Sequence, residues 1–311
     1  MVRVRVVVAM ALWVAVASTS FAQAPTAANP LWHEQKVKNY LPHMTWPDVR
    51  DLLTRTDMVI LPVASLEQHG LQGPIGTDFL NGLERAKLIA QQTDVLVAPI
   101  LFPGNSPYHS AFPGTISLPV ETIQLVYFQA AQSLLAQGFK RFLILNSHAG
   151  NAATSRYIAD RINHETAGIA VELDEAAAPF LTRSTPAGPR AFDRHGGVSE
   201  TSRSLYLTPT LVDMSVARTA PLTLRPHLEK LLPEVVAGDA TATRVFLAEA
   251  LKAESTGKGT STREMTETGV WSALDVKAAT AERGRAETEA SVAAAVVFIE
   301  RWKELRPLGT R

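Results

Sequence analysis

The sequence has no cysteine. Disulfides, thiolate zinc sites, iron–sulfur clusters, a cysteine nucleophile and a lipidated N-terminal cysteine are therefore excluded. There is no excess charge of either sign. Lys plus Arg and Asp plus Glu number 30 each, so no basic surface dominates and nucleic acid is not an expected partner. No Gly-x-Ser-x-Gly occurs, the sharp turn that exposes a serine nucleophile. Nor is there an internal repeat, a low-complexity tract or, after residue 17, an apolar run of membrane-spanning length. Aromatic residues are few, at 7 %, and no Trp lies between Pro47 and Val270. What is present, 46 % hydrophobic and 19 % charged residues over 311 positions, is globular composition with length enough to bury a sizeable core.

At the N-terminus Arg3 and Arg5 precede an apolar run over residues 6–17, then small residues and Ser20-Phe21-Ala22. This is the order of a secretory signal, expected over residues 1–22. Cleavage after Ala22 is favoured, because cleavage after Ala24 would leave Pro25 at the next position. The run is too short to span a bilayer comfortably. The expected product is secreted or periplasmic, free of the membrane once the signal is removed. Losing Arg3 and Arg5 leaves 28 basic against 30 acidic residues, a formal charge of −2. Residues 23–45 read as a polar, Pro-containing lead-in draped over the surface, and residues 46–306 as the functional domain.

The body alternates strand and helix. Residues 58–64, 94–101, 142–145 and 169–173 are nearly continuous apolar runs, the pattern of strands buried on both faces of a parallel sheet. Pro62 and Pro99 lie inside two of them, where a missing N–H weakens a central strand. Between the runs, Leu80, Leu83, Lys87 and Ala90 recur at helical spacing, as do Val120, Ile123, Tyr127, Ala130 and Leu134 ahead of Gly138. Further helices are expected over residues 152–165, 227–236, 243–254 and 276–304, with a polar loop over 255–268. The order implies an α/β fold: a single domain with a mostly parallel sheet flanked by helices on both faces.

Ligands of such sheets gather beyond the carboxyl ends of the strands. After the first run come Glu67-Gln68-His69-Gly70 and Gly76-Thr77-Asp78. After the third comes Asn146-Ser147-His148-Ala149-Gly150-Asn151. After the fourth, past a Pro-containing excursion, comes His195-Gly196-Gly197-Val198-Ser199-Glu200-Thr201-Ser202. Imidazole nitrogen and carboxylate oxygen suit Zn, Mn or Fe(II). In an extended segment Glu67 and His69 point to one side and can face one ion each, with Asp78 returning to bridge both. The charge of two divalent ions is balanced by Glu67, Asp78, Glu200 and one hydroxide, which is what a two-metal hydrolase needs. Taken singly each residue has a plainer reading. His69 and His148 can be loop histidines, Asp78 a helix N-cap, and Glu200 a helix-start carboxylate behind a Ser199 cap. Their convergence at successive strand ends favours a metallohydrolase.

The run Leu61-Pro62-Val63-Ala64-Ser65-Leu66-Glu67-Gln68-His69-Gly70, with Gly76-Thr77-Asp78, resembles the signature of the creatininase (creatinine amidohydrolase) family. So do Ser106-Pro107-Tyr108-His109 with Phe112-Pro113-Gly114-Thr115-Ile116-Ser117-Leu118, the Asn146–Asn151 loop, and the block from His195 to Ser202. Thr268-Gly269-Val270-Trp271 and Ala278-Ala279-Thr280-Ala281-Glu282-Arg283-Gly284 are similar to the family's C-terminal region. The resemblance spans roughly residues 45–304 in the family's order. It implies a creatininase-like α/β domain, assembled as a homo-oligomer and often a hexamer. It also implies a dinuclear centre of Zn, Mn or Fe that hydrolyses a C–N amide bond, cyclic or linear, of a small-molecule substrate through a metal-activated hydroxide. By motif match, Glu67, His69, Asp78, His148 and Glu200 are the implied ligands, with Asp78 bridging. His195 and Glu200 are the implied catalytic residues, His195 as proton donor to the leaving nitrogen. His109, Asn146, Gly150 and Asn151 are the implied supporting or substrate-contacting residues, with N–H groups of the Gly150-Asn151 turn at the oxyanion.

Three features depart from the family pattern. Gly150 stands where creatinine-cleaving members carry Glu. Creatinine-cleaving members place a Trp over the substrate, and this chain has none between Pro47 and Val270. Gly196 and Val198 replace the usual Ala and Glu. These point away from creatinine, and export points to an extracytoplasmic substrate. Two other readings fit the same residues: an exported metal- or ligand-binding module without turnover, and a peptidase that trims short peptides. Gly257-Lys258-Gly259-Thr260-Ser261-Thr262 resembles a phosphate loop but lacks its residue order and a preceding strand, so it reads as a flexible loop near the substrate or a subunit interface. Asn163-His164-Glu165 reads as a solvated helix end. Arg283 and Arg285 with Glu287 and Glu289 read as a solvated helix face.

Overall fold

The computed structural model describes residue 29 and residues 34–182, 192–250 and 262–310. The signal expected at residues 1–22, and residues 257–261 of the loop resembling a phosphate loop, lie outside the described residues. Along the chain come α1 (Trp46–Leu52), β1 (Met58–Val63), α2 (Thr77–Thr93), β2 (Leu96–Val97), α3 (Val120–Gln137), β3 (Arg141–Asn146), α4 (Ala152–Glu165), β4 (Ile169–Glu172) and α5 (Leu173–Ala177). They are followed by β5 (Asp193–His195), α6 (Val198–Leu207), α7 (Pro226–Val236), α8 (Ala240–Ala250), α9 (Thr262–Met265), β6 (Trp271–Ser272) and α10 (Ala281–Leu305).

β1 to β4 form one sheet in the order β2-β1-β3-β4, every pair parallel. Alternate residues of the central strands feed two cores. Val59, Leu61, Val63, Phe142 and Ile144 pack on α3 and α4 through Ile123, Tyr127, Leu134, Ile158 and Ile162. Met58, Ile60, Leu143 and Leu145 pack on α2, α5 and α10 through Leu83, Ile89, Leu173, Val292 and Ile299. This is why the sequence shows runs rather than alternation: both faces of each strand are covered. A separate core around Phe192, Phe246 and Trp271 joins the β5–β6 pair to α7 and α8. The α/β fold with a mostly parallel sheet between helices is as expected.

Pro62 sits inside β1 without breaking it. Ile60 accepts from Ala98 on the β2 side, so two residues on, Pro62 faces that same side. β2 pairs only with Val59 and Ile60 and has ended there, so no ladder bond is missing. The Pro62 carbonyl accepts from the Tyr127 hydroxyl at 2.7 Å.

Several boundaries differ from the sequence reading. The strand expected over 94–101 shrinks to Leu96–Val97, because Asp94 closes α2 in a left-handed conformation (φ 53°) and Pro99 follows. The run over 169–173 stops at Glu172, whose carboxylate accepts the Glu175 N–H and so starts α5. The long C-terminal helix begins at Ala281 behind a Thr280 cap, and residues 276–278 form a separate 3-10 turn. The segment read as a draped lead-in is partly built in: Asn39 is buried, its carbonyl accepts from Val97, and Tyr40 bridges Val97 in parallel. The compact unit accordingly opens at Val37, ahead of the expected boundary at residue 46.

α10 packs across α6, which carries Glu200, and the contact requires Gly284. A Cβ there would lie 1.9 Å from the Ser202 carbonyl oxygen and 2.7 Å from the Arg203 nitrogen, both backbone atoms. Gly284→Ala is expected to force the helices apart at a cost of about 3 kcal/mol. Urea unfolding measures this, and a variant as stable as the parent would show that α6 is free to shift.

Candidate metal centre

Glu67 and His69 leave the carboxyl end of β1 in a loop that closes on itself through Glu67 N–H to the Ile75 carbonyl (3.0 Å) and a His69–Gly73 bridge. That closure brings the start of α2 back beside Glu67. The N-cap of α2 is Gly76, with no side-chain cap, so Asp78 in the first turn is not committed to capping. His148 follows β3, its N–H held by the Asn146 side-chain oxygen at 3.1 Å. His195 ends β5. Glu200 lies in the first turn of α6, whose Val198 and Ser199 N–H groups both donate to Asp193 at 2.9 Å.

These residues meet. His148 Nδ1 lies 3.2 Å from Glu67 Oε1 and 3.1 Å from Asp78 Oδ2. His69 Nε2 lies 3.3 Å from Asp78 Oδ1 and 3.6 Å from Glu200 Oε2. Asp78 therefore turns one oxygen to each histidine. His195 Nδ1 and His109 Nε2 approach Glu67 Oε1 at 3.4 and 3.7 Å. Among the described residues, three overlapping groups could hold a metal ion: Glu67, Asp78 and His148; His69, Asp78 and Glu200; Glu67, His69 and His195.

Each of three imidazoles has one nitrogen against a backbone carbonyl. His69 Nδ1 donates to Glu67 O (3.0 Å), His148 Nε2 to Asn105 O (3.1 Å) and His195 Nε2 to Gln68 O (2.5 Å). That fixes the ring orientation and turns the other nitrogen to the carboxylates, the arrangement typical of metal-binding histidines. Two buried atoms at the centre, His69 Nε2 and Asp78 Oδ2, make no aligned hydrogen bond and face only the charged groups of the cluster. Buried polar atoms are rarely left so. A cation would satisfy both.

The electrostatics agree. Burial would raise the Glu67 pKa, but His148, His195 and His109 outweigh it and hold the carboxyl well below its usual range. Burial would lower His69, but Asp78, Glu200 and Glu67 raise it to about 10. His148 is likewise carried well above its usual value, against burial, by Glu67 and Asp78. Burial raises Glu200 to about 7, against the pull of His69. His109 and His195 go the other way. Burial takes His109 to about 4, and burial with the nearby His109 and His69 rings takes His195 well below its usual value. Burial lifts Tyr108 to about 12.

A family model described as creatinine amidohydrolase matches residues 42–299. The chain belongs to the creatininase family. Over 209 residues it is 31 % identical to the creatinine amidohydrolase of Pseudomonas putida, covering 60 % of this chain and 79 % of that protein. Over 202 residues it is 28 % identical to the mycofactocin precursor peptide peptidase of Mycolicibacterium smegmatis, covering 62 % and 74 %. A solved creatininase variant of Zn–Zn type superposes with a TM-score of 0.63 at 21 % identity, covering 88 % of this chain and 100 % of that one.

Within this creatininase-family site, the five residues expected as ligands are brought together. Other expectations change. Asp78 is not a helix cap, Ser199 lies inside α6 rather than capping it, and each of the three rings, tied by one nitrogen to a backbone carbonyl (for His69 that of Glu67 in its own loop), turns the other nitrogen into the cluster. His195 was expected to give a proton to a leaving group. In this structure His195 Nε2 faces the Gln68 carbonyl and Nδ1 faces Glu67, with burial and the nearby His109 and His69 rings holding the pKa well below its usual value. The Asn151 N–H, expected at an oxyanion, donates to the His148 carbonyl. The Asn151 side chain is fully buried and ties Asn105 to Ala64. Asn146 orients His148, and Gly150 makes room: a Cβ there would lie 2.2 Å from the Tyr108 hydroxyl and 2.3 Å from His148 Nε2. Thr262, from the expected flexible loop, is buried and donates to His109 Nδ1 at 2.7 Å.

Some residues carried no role in the sequence reading. Ser65 Oγ donates to Glu67 Oε2 at 3.0 Å, with Ser106 Oγ 2.5 Å behind it. Their signal was local: Ser65 is two residues before Glu67, on the same side of an extended strand end. Asp193 and Gln68 had none, since their partners are distant in the chain: Asp193 accepts from the backbone of α6 and from Ser272, and Gln68 bridges the His109 ring and the Gly269 carbonyl.

Proposed function

We propose that this chain is a metal-dependent amidohydrolase that uses two divalent ions to cleave an amide C–N bond in a small molecule or short peptide. The observation that carries the reading is Asp78 set between His69 and His148, one oxygen 3.3 Å and the other 3.1 Å from an inward-facing ring nitrogen, inside a buried cluster of three carboxylates and tethered histidines. Glu67, Asp78 and His148 would hold one ion, and His69, Asp78 and Glu200 the other. When bound, such ions act as Lewis acids and make water a nucleophile at neutral pH. Nitrogen and oxygen donors fit Zn, Mn or Fe(II), and the Zn–Zn relative of the same fold supports the pairing. Ser65 orients Glu67, and the Glu67, Asn105 and Gln68 carbonyls orient the three rings. Glu200, with 22 % of its side chain exposed, is the most open of the three carboxylates and marks the side from which water and substrate enter.

The peptidase relative makes a short peptide as fit a probe as a cyclic amide. The chain, stripped with chelator and reloaded with Zn or Mn, is tested on creatinine, a lactam, an N-acetyl amide and a tripeptide. Cleavage that is lost on stripping and restored by metal is the expected result. Metal uptake with no cleavage of any amide would instead support the binding module. Export and homo-oligomer formation, as a hexamer, belong to the same proposal. They are checked by fractionating cells that express the full chain and by light scattering on the purified protein.

A further inference from the structure

We propose that Tyr108 is a catalytic residue of this site, its hydroxyl donating a hydrogen bond to the oxygen of the substrate carbonyl as that oxygen becomes anionic. The proposal rests on the amidohydrolase reading above. Tyr108 stands beside the cluster, its ring 4.7 Å from that of His109 and 6.3 Å from that of His148, centroid to centroid. Both of those histidines face Glu67. The hydroxyl makes one hydrogen-bond contact among the described residues, to His148 Nε2 at 3.2 Å.

That nitrogen is not an acceptor. The Asn105 carbonyl, 3.1 Å away, can only accept, so His148 Nε2 carries the hydrogen and has no lone pair for a second donor. The Tyr108 proton is therefore uncommitted. Ser106 Oγ also lies 3.2 Å from His148 Nε2, but it is engaged with Ser65, as Ser65 is with Glu67 and Thr262 with His109. The space has been kept for this hydroxyl. Position 150 is Gly, and the direction its Cβ would take runs into the Tyr108 oxygen at 2.2 Å. A side chain at 150 and the phenol cannot coexist there. The phenol stands where a carboxylate two residues after His148 would have projected. A carboxylate could not donate to an anionic oxygen, whereas a phenol can, and a donor aimed at developing negative charge is a large term in acyl transfer.

The test uses the full chain loaded with Zn, and inorganic phosphate as a tetrahedral anion. Tyr108→Phe is expected to keep the metal content of the parent and to bind phosphate about 10–100-fold more weakly by calorimetry, the range for a hydrogen bond to a charged group. On whichever amide the parent cleaves, kcat is expected to fall about 100-fold with little change in KM. Equal phosphate binding and equal kcat at equal metal content would overturn the proposal while leaving the hydrolase reading standing. Loss of metal from Tyr108→Phe would overturn it too, by showing that the hydroxyl serves His148 rather than the substrate. A parent chain that takes up no metal would sink the hydrolase reading itself, and this proposal with it.

Discussion

Asp78→Asn is expected to leave the fold intact, reduce bound metal from two ions to at most one, and lower turnover by at least about 1,000-fold. The substitution keeps the shape of the side chain but removes its charge and turns one of its two oxygens into a donor. Asp78 directs Oδ1 toward His69 and Oδ2 toward His148, so whichever oxygen becomes the amide nitrogen, one half of the cluster faces a hydrogen in place of a lone pair. Loss of a residue that merely supports a metal ligand costs roughly 10–100-fold. A carboxylate shared by two sites belongs above that range. Neighbouring substitutions should divide the effect. His69→Ala removes a donor from the group with Glu200, and His148→Ala from the group with Glu67, so each is expected to retain more metal than Asp78→Asn. Metal analysis by mass spectrometry, beside activity on the cleaved amide, tells these apart. Two ions and undiminished turnover in Asp78→Asn would mean that the carboxylate is not shared.

Why this site could be read from the sequence, and where the reading stopped, follows from the kind of constraint involved. β1 and residues 142–145 of β3 are legible because burial on both faces selects apolar residues there. The order of the acidic and imidazole residues after them is legible because a parallel sheet delivers its strand ends to one edge. β5 and β6, three and two residues long, have no run to detect. α1 did carry a local sign that the reading passed over: Thr45 and Asp48 cap each other's backbone, with Pro47 in the first turn. Which nitrogen of each histidine faces the cluster was not legible at all. That is set by the carbonyls of Glu67, Asn105 and Gln68, and carbonyls carry no residue identity. The Thr262–His109 bond joins residues 153 apart, beyond the reach of any local pattern.

The tautomers decide more than orientation, because they fix what metal binding must displace. In the metal-free protein His69 titrates at about 10 and His148 well above its usual value, so at pH 7.5 both rings are protonated between carboxylates. Each must lose the proton on the inward nitrogen before that nitrogen can ligate. Loading both sites is therefore expected to release about two protons, and Glu200, at about 7, adds a third as the pH falls below that value. Calorimetric titration with Zn in two buffers of different ionisation enthalpy counts them. The consequence for stability changes sign with metal. A raised pKa in the folded state contributes stability that is complete below the unfolded value and is lost as pH rises through the folded one. For His69 that window runs from about pH 6.5 to about 10, so the stability these histidines give the metal-free chain declines across it. Metal-loaded protein gains over the same window, because fewer protons oppose binding and tighter binding stabilises the folded state by mass action. The difference in Tm between loaded and stripped protein should thus widen steadily from pH 6 to pH 9. A constant difference, with no proton release, would mean that the histidines are already neutral in the metal-free site. The carboxylates around them would then hold no protons in reserve for a cation to replace.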